Sequence, residues 1–353
     1  MSRRSCISGS DRHALWRLAA ACLASLLLYV VLCAEVLDRP LTLGFLRHEL
    51  DAKLARGAAL HGPKLVILAG SNGPYSHRCE TIEPILHLPC VNGGVAVGIG
   101  LDYLFARWRP LLHPGDTVYL PMEEAQYVRS RTATMLGPDA AIMLRHDRAT
   151  LLHLTPDRWA GALFATGLRD ALVAPVEMAL VAAGFRDARS ALEGGTNAWG
   201  DHTGHTAALG MASQAVLAAE TPWHADAAAI RDGYGSSLVA QFIAWARVHG
   251  VRVIGGLPTE FADAAMPDAT RAAIRQLYLA AGVRFVELPN RSTYPRAAFF
   301  DTPDHLNQHW QMIHSAALAH ALATQMARDA NPEETVAVKK LLRSKGTDAV
   351  GRY

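Results

Sequence analysis

Residues Lys64 to Ala69 read KLVILA and run straight into Gly70-Ser71-Asn72-Gly73. A short apolar run bounded by glycine reads as a buried strand, and this one ends in a turn that carries a serine. Working outward, strands and helices alternate. A helix-like stretch through Ile85 leads to a second strand near 89–92, and 101–112 has helical spacing. His113-Pro114-Gly115-Asp116 forms a turn before a strand over 117–121. Later, a helix over 237–248 feeds a strand over 251–255, and a helix over 271–281 feeds a strand over 283–288. This alternation predicts an α/β domain whose parallel sheet is covered on both faces.

The stretch 123–205 breaks the rhythm and reads as a helical insertion within a domain over 38–328. Its apolar part, Trp159 to Phe185, contains Arg169, Asp170, Pro175 and Glu177, which argues against a lipid-exposed span. A short helical connector over 41–60 precedes the first strand, and the polar segment 329–353 reads as a loose tail.

Composition narrows the classes. Of 353 residues, 50% are hydrophobic and 19% charged, which excludes global disorder and collagen-like repeats and fits poorly with a many-span membrane protein. The 34 basic and 32 acidic residues leave a formal charge of +2, with no basic stripe, so nucleic acid is not an expected partner.

Leu18 to Ala34 is a run of 17 residues without charge. As a helix it covers roughly 26 Å, close to a hydrocarbon core of about 30 Å, and Trp16 and the stem of Arg17 extend it. We therefore expect an anchor over 18–37. Arg3, Arg4, Arg12 and Arg17 precede it, and Glu35 and Asp38 follow it. That asymmetry places residues 1–17 in the cytoplasm and the main domain on the other side, periplasmic if the membrane is a bacterial inner membrane. A cleaved signal peptide shares the pattern, but the run is longer than most signal cores and no clean Ala-x-Ala site follows. Cys6 would then be cytoplasmic, and Cys22 and Cys33 would lie in the membrane. Cys79 and Cys90 remain as a pair that an oxidising compartment allows to bond, or as two separate thiols.

Two segments carry chemistry. Ser71 ends a parallel strand, where open α/β sheets place their sites, though a serine there also caps helices. Near the far end, Phe299-Phe300-Asp301-Thr302-Pro303-Asp304-His305-Leu306-Asn307 reads as a helix start, with Thr302 as cap and Pro303 at the first helical position. His305 would sit in the first turn of a long helix, and a carboxylate beside it would orient the imidazole as a base for a serine hydroxyl.

In this order, the pieces resemble the SGNH (GDSL-like) hydrolase family. Gly70-Ser71-Asn72 is similar to its nucleophile block, Val91-Asn92-Gly93-Gly94 through Gly98 to its glycine block, and Asp301 to His305 to its final block. Pro114-Gly115-Asp116-Thr117-Val118 resembles the lead into its third strand. The likeness covers about 64–121 and 237–325. Three departures stand out. Ala69-Gly70-Ser71 replaces Gly-Asp-Ser. Thr302 stands where the block's aspartate is usual, leaving Asp301 or Asp304 as the acid, with Asp301 preferred for its spacing. Met122-Glu123-Glu124 stands where an asparagine usually follows strand three, and Asn197 is the replacement we expect.

The resemblance implies a three-layer α/β/α fold and acyl transfer through an acyl-serine, without a cofactor. Ser71 would be the nucleophile, His305 the base and Asp301 its orienting acid. Ser71 and Gly98 N–H groups, with Asn197, would form the oxyanion hole. Water as acceptor gives an esterase, and a sugar hydroxyl gives an O-acyltransferase. With the anchor, it implies O-acetyl chemistry on a cell-envelope polysaccharide or glycoconjugate, beside a multi-span membrane acyltransferase as partner. Two rival readings remain. His305 with His309, and His202 with His205, offer metal-ligand spacing. A domain of the same fold could also bind a glycan or recruit a partner without catalysis.

Overall fold

The structure, a computed structural model, describes residues 9–32, 43–165, 173, 175–176, 179–185 and 195–327. Arg3, Arg4, Cys6, Cys33, Glu35, Asp38, Arg169, Asp170, Glu177 and the tail expected over 329–353 lie outside the described residues. The described residues divide into two compact units, one within 1–45 and 135–188, the other within 46–134 and 189–353.

In the first unit, α1 (Gly9–Val31) contains a stretch, Arg12–Val31, that is long and apolar enough to cross a membrane. Its mean hydropathy is 2.0 and none of it is buried. Among the described residues no second helix meets that test. Three short helices, Pro138–His146, Arg148–His153 and Pro156–Phe164, occupy the expected insertion. A buried Arg158–Asp139 ion pair joins the first to the third, and Asp147 caps the second by accepting the Thr150 N–H at 3.3 Å.

The second unit is built on a parallel sheet. In chain order the strands are β1 (Leu65–Ile67), β2 (Cys90–Asn92), β3 (Thr117–Leu120), a hairpin of β4 (Gly195–Thr196) and β5 (His202–Thr203), β6 (Arg252–Gly255), β7 (Glu260–Phe261), β8 (Arg284–Phe285) and β9 (Thr293–Tyr294). Five form one sheet in the order β2-β1-β3-β6-β8, all parallel, with Leu65 opposite both Cys90 and Thr117. β7 and β9 make a separate parallel pair. Every residue of β1, β2 and β3 is buried, as expected of strands covered on both faces. β8 is shorter than the apolar run 283–288 because it is an edge strand, paired with β6 alone.

Before β1 runs α2 (Leu43–Ala59); between strands run α3 (Asn72–Ser76), α4 (Cys79–Leu86), α5 (Leu101–Trp108), α6 (Glu124–Val128), α7 (Tyr234–Val248) and α8 (Asp268–Ala280); and α9 (Gln308–Ala327) follows β9. One core joins Leu65 and Ile67 of β1, Ile82 of α4, Ile254 of β6, and Leu318 and Leu322 of α9. Each of these is fully buried and contributes about 1.5–3 kcal/mol by leaving water. A Cys79–Cys90 disulfide within this core ties the start of α4 to β2.

The starts of β1 and β3 are clamped by charge. Lys64 Nζ lies 2.8 Å from Asp116 Oδ2, and neither side chain is exposed. Asp116 also accepts the Lys64 N–H at 3.0 Å and the His113 N–H at 2.9 Å, so the buried carboxylate is well supplied with donors.

The last helix corrects one expectation. It begins at Gln308, not beside Thr302, and Asn307 caps it: its Oδ1 accepts the Trp310 N–H at 3.3 Å. Residues 301–305 instead form turns, closed by Phe300 N–H donating to the His305 carbonyl and by a bridge between Phe299 and Leu306.

Candidate active site

In the sheet order, β1 lies between β2 and β3, so the chain turns to opposite sides after successive strands. Loops at the carboxyl ends of such strands diverge and leave a crevice. The turn after β1 carries Ser71, half-buried and at the cap position of α3. Its hydroxyl makes no cap hydrogen bond, so the capping role that serine often plays there is not taken up.

Neighbouring loops fix this turn. The Gly70 N–H donates to Gln126 Oε1 at 3.0 Å, and the Asn72 N–H donates to Glu123 Oε1 at 3.1 Å. Asn72 Nδ2 donates to the Pro121 carbonyl at 2.7 Å. The glycine loop after β2 packs on the same turn. A Cβ on Gly94 would lie 2.8 Å from the Gly70 carbonyl, and one on Gly70 would lie 3.1 Å from Val97 Cα. Among the described residues, no hydrogen bond is made by the Ser71 or the Gly98 N–H. The Ser71 N–H, and the Gly98 N–H on the glycine loop that packs against this turn, remain available as donors.

His305 arrives on the turn before α9. Its Nδ1–H donates to Asp301 Oδ1 at 2.7 Å, which leaves Nε2 to exchange protons. Asp301, not Asp304, is the carboxylate on the ring. The turn is stitched to α3: Ser76 Oγ donates to the Asp304 carbonyl at 2.7 Å and accepts the Leu306 N–H at 3.3 Å. The Tyr75 ring stacks on the His305 ring, with centroids 4.0 Å apart. Since Tyr75 is one helical turn beyond Ser71, the stack brings the histidine to the serine's helix. No hydrogen bond joins Ser71 to His305 among the described residues; in unliganded sites such bonds are often long.

Asn197 is corrected. Its Oδ1 accepts the N–H groups of Trp199 and Asp201 at 2.9 and 3.0 Å, and its Nδ2 donates to Asp201 Oδ2 at 3.1 Å. Asp201 in turn accepts the N–H groups of Cys79 and Glu80, so this network holds the β4–β5 hairpin to α4. The amide is consumed there and does not reach an oxyanion.

Geometry corrects one of the two metal readings. His305 precedes α9, so His305 and His309 do not share a helical face. His202 and His205 surround Tyr75, with centroids 4.2 and 5.2 Å from its ring. Burial, then neighbouring histidine charge, lowers them to about 3 and about 4. Among the described residues the one group spaced for a cation is Glu124, His224 and Glu260. There His224 Nδ1 faces Glu124 Oε1 at 2.7 Å and Nε2 faces the Ala264 carbonyl at 3.0 Å. Burial works against charging this ring, but Glu124, Ala264 and Glu260 outweigh it and raise its pKa. Both ring nitrogens thus already face oxygen atoms.

These residues line a cavity of about 220 Å³ together with Glu123, Trp223 and Asp304, so it runs from the segment after β3 to the turn that carries His305. Burial raises Glu123 to about 7, against the pull of the Asn72 N–H. Asp304 is raised well above the carboxylate range, by burial and then by Glu123.

A second set of residues supports the turn from behind. Tyr294 OH meets His314 Nδ1 at 2.9 Å, the His314 and His77 Nε2 atoms are 3.3 Å apart, and His77 Nδ1 faces the Asn72 carbonyl at 3.2 Å. Sequence reasoning missed Tyr75, His77, His314, Glu123 and Gln126 as site residues. The Glu-x-x-Gln spacing at 123–126 was the available signal, since it suits a helix start at the end of β3.

Comparison with protein-family models, with curated proteins and with solved structures finds no match in any of the three.

Proposed function

We propose that the chain is a membrane-anchored serine acyl esterase or O-acyltransferase of SGNH type, with the three-layer α/β/α arrangement of that family. The observation that carries this reading is the Asp301–His305 pair stacked on Tyr75 of the helix that Ser71 begins. In the reaction, Ser71 Oγ attacks an ester carbonyl while His305 Nε2 takes its proton. The tetrahedral oxyanion is met by the Ser71 and Gly98 N–H groups. Collapse expels the alcohol, which takes the proton from His305 and leaves an acyl-serine. Water or a sugar hydroxyl then attacks that ester, again with His305 as base, and frees Ser71.

The apolar α1 and its preceding arginines support an N-terminus in the cytoplasm and the sheet domain outside, where the Cys79–Cys90 bond is stable. An exported, anchored acyl-transfer domain suits O-acetyl groups on an envelope polysaccharide, supplied by a multi-span acyltransferase. The test uses the full chain in detergent with an activated acetyl ester, with and without a polysaccharide acceptor. Turnover should fall to background in Ser71→Ala and His305→Ala, and acceptor-dependent product would assign transfer over hydrolysis. Turnover that survives Ser71→Ala sinks the mechanism.

A further inference from the structure

We propose that Glu123 is a positioning residue that must carry its proton for the Ser71 turn to accept an oxyanion. This inference rests on the acyl-transfer reading above.

The geometry begins with the two N–H groups that flank Ser71. Side chains from the end of β3 hold both: Gln126 Oε1 takes Gly70 and Glu123 Oε1 takes Asn72. Gln126 Oε1 also accepts Glu123's own N–H at 3.1 Å, so the two side chains act as one clamp. The clamp orients the turn and leaves the Ser71 N–H, between the two held groups, for the substrate oxygen. It also sets a carboxyl against the position where negative charge develops. Gly70 has no Cβ, and a Cβ there would collide with Glu123 Oε1, so the carboxyl sits directly on the turn.

A carboxylate in that place opposes the oxyanion, whereas a carboxylic acid does not. Asp304 on the turn before α9, Glu124 of α6, Glu260 of β7, and Glu220 and His224 of the segment before Ala225 line the same cavity as Glu123. His305 follows Asp304 in the same turn. None of the residues lining this cavity is lysine or arginine, and Arg271 is held by Glu260 and Asp268. Glu123 is buried, and burial raises it to about 7. The carboxyl therefore titrates where small changes in pH switch its charge.

The pH dependence has a sign that separates this role from that of the base. General-base catalysis alone gives a rate that only rises with pH. As Glu123 loses its proton, the rate falls. The experiment follows Ser71 modification by a fluorophosphonate and turnover of an activated acetyl ester by the full chain in detergent, across neutral pH, for wild type, Glu123→Gln and Ser71→Ala. Glutamine keeps an acceptor for the Asn72 N–H but cannot ionise. Wild type should show a descending limb near neutral pH, and Glu123→Gln should lack it. The ratio of variant to wild-type rate should rise about tenfold or more towards alkaline pH. The wild-type limb is a test in itself if the variant fails to fold. A wild-type rate that only rises with pH, or a ratio independent of pH, overturns the proposal and leaves the acyl-transfer reading intact. Absence of Ser71-dependent labelling at every pH overturns both.

Discussion

Tyr75 and His305 lie face to face, with ring planes within 9° and centroids 4.0 Å apart, although 230 residues separate them in the chain. The imidazole is held on one edge by Asp301 and on one face by this ring. An aromatic contact of this kind contributes about 0.5–1.5 kcal/mol beyond the area it buries. Tyr75→Phe should keep the stack and near-normal turnover. Tyr75→Ala should lower kcat by up to about tenfold, with less change in KM. Equal losses in both variants would mean that the hydroxyl, not the stack, is what matters.

Asp301 and Asp304 offer a second contrast, because they belong to the same turn and only Asp301 is hydrogen-bonded to the His305 ring. Asp301 orients His305, while Asp304 is held towards its neutral form by burial and by Glu123. Asp301→Asn should reduce turnover by about 10⁴-fold, as the ring loses its preferred tautomer and the partner of its imidazolium. Asp304→Asn leaves the Asp301–His305 bond in place and should cost less than about tenfold. Steady-state rates on one activated ester measure both. The reverse ranking would reassign the acid.

The central sheet was legible in the sequence because each strand is a compact apolar run closed by glycine, proline or aspartate, as in KLVILA before Gly70 and in Thr117–Leu120 after Asp116. The place of Ser71 was legible for the same local reason, since it follows the glycine that closes the apolar run of β1. Asn197 misled because a polar side chain says nothing of its partner, and here the partner is Asp201, four residues away. The start of α9 misled because Thr302-Pro303 and Asn307 are both good caps, and tertiary bonds from Ser76 to 304–306 decide between them. Glu123 and Tyr75 act through residues distant in sequence, which no local pattern records.

The buried pair His77 and His314 makes stability depend on acid. Burial lowers His77 to about 4, against the Asn72 and Gly73 backbone, and lowers His314 well below its ordinary value, with His77 adding to the effect. The unfolded chain takes up these protons near 6.5, and the folded chain refuses them until the pH is much lower. Stability is thus fully present above 6.5 and is lost as pH falls towards 4. His77 alone accounts for about 3 kcal/mol over that interval. Melting midpoints measured from about pH 7.5 down to about pH 4.5 should fall more steeply for wild type than for His77→Gln. Parallel slopes would mean that the histidine titrates freely.

The Lys64–Asp116 clamp makes an asymmetric prediction. Asp116→Ala removes three interactions at once, leaving a buried ammonium and the N–H groups of Lys64 and His113 without their acceptor. It should cost about 3–5 kcal/mol. Lys64→Met leaves the carboxylate with two N–H donors and an apolar side chain in a site the lysine stem already fills. Its cost should be smaller by about 1–3 kcal/mol, the price of the orphaned backbone donors. Urea denaturation of the two variants settles the ranking, and equal costs would mean that the charge pair alone matters. The clamp also fixes Leu65 opposite Thr117. The loops that bring Glu123 to the Ser71 turn leave the other ends of those same strands. Asp116→Ala should therefore lower the rate of Ser71 modification even where the protein remains folded, and an unchanged rate would separate strand register from the site.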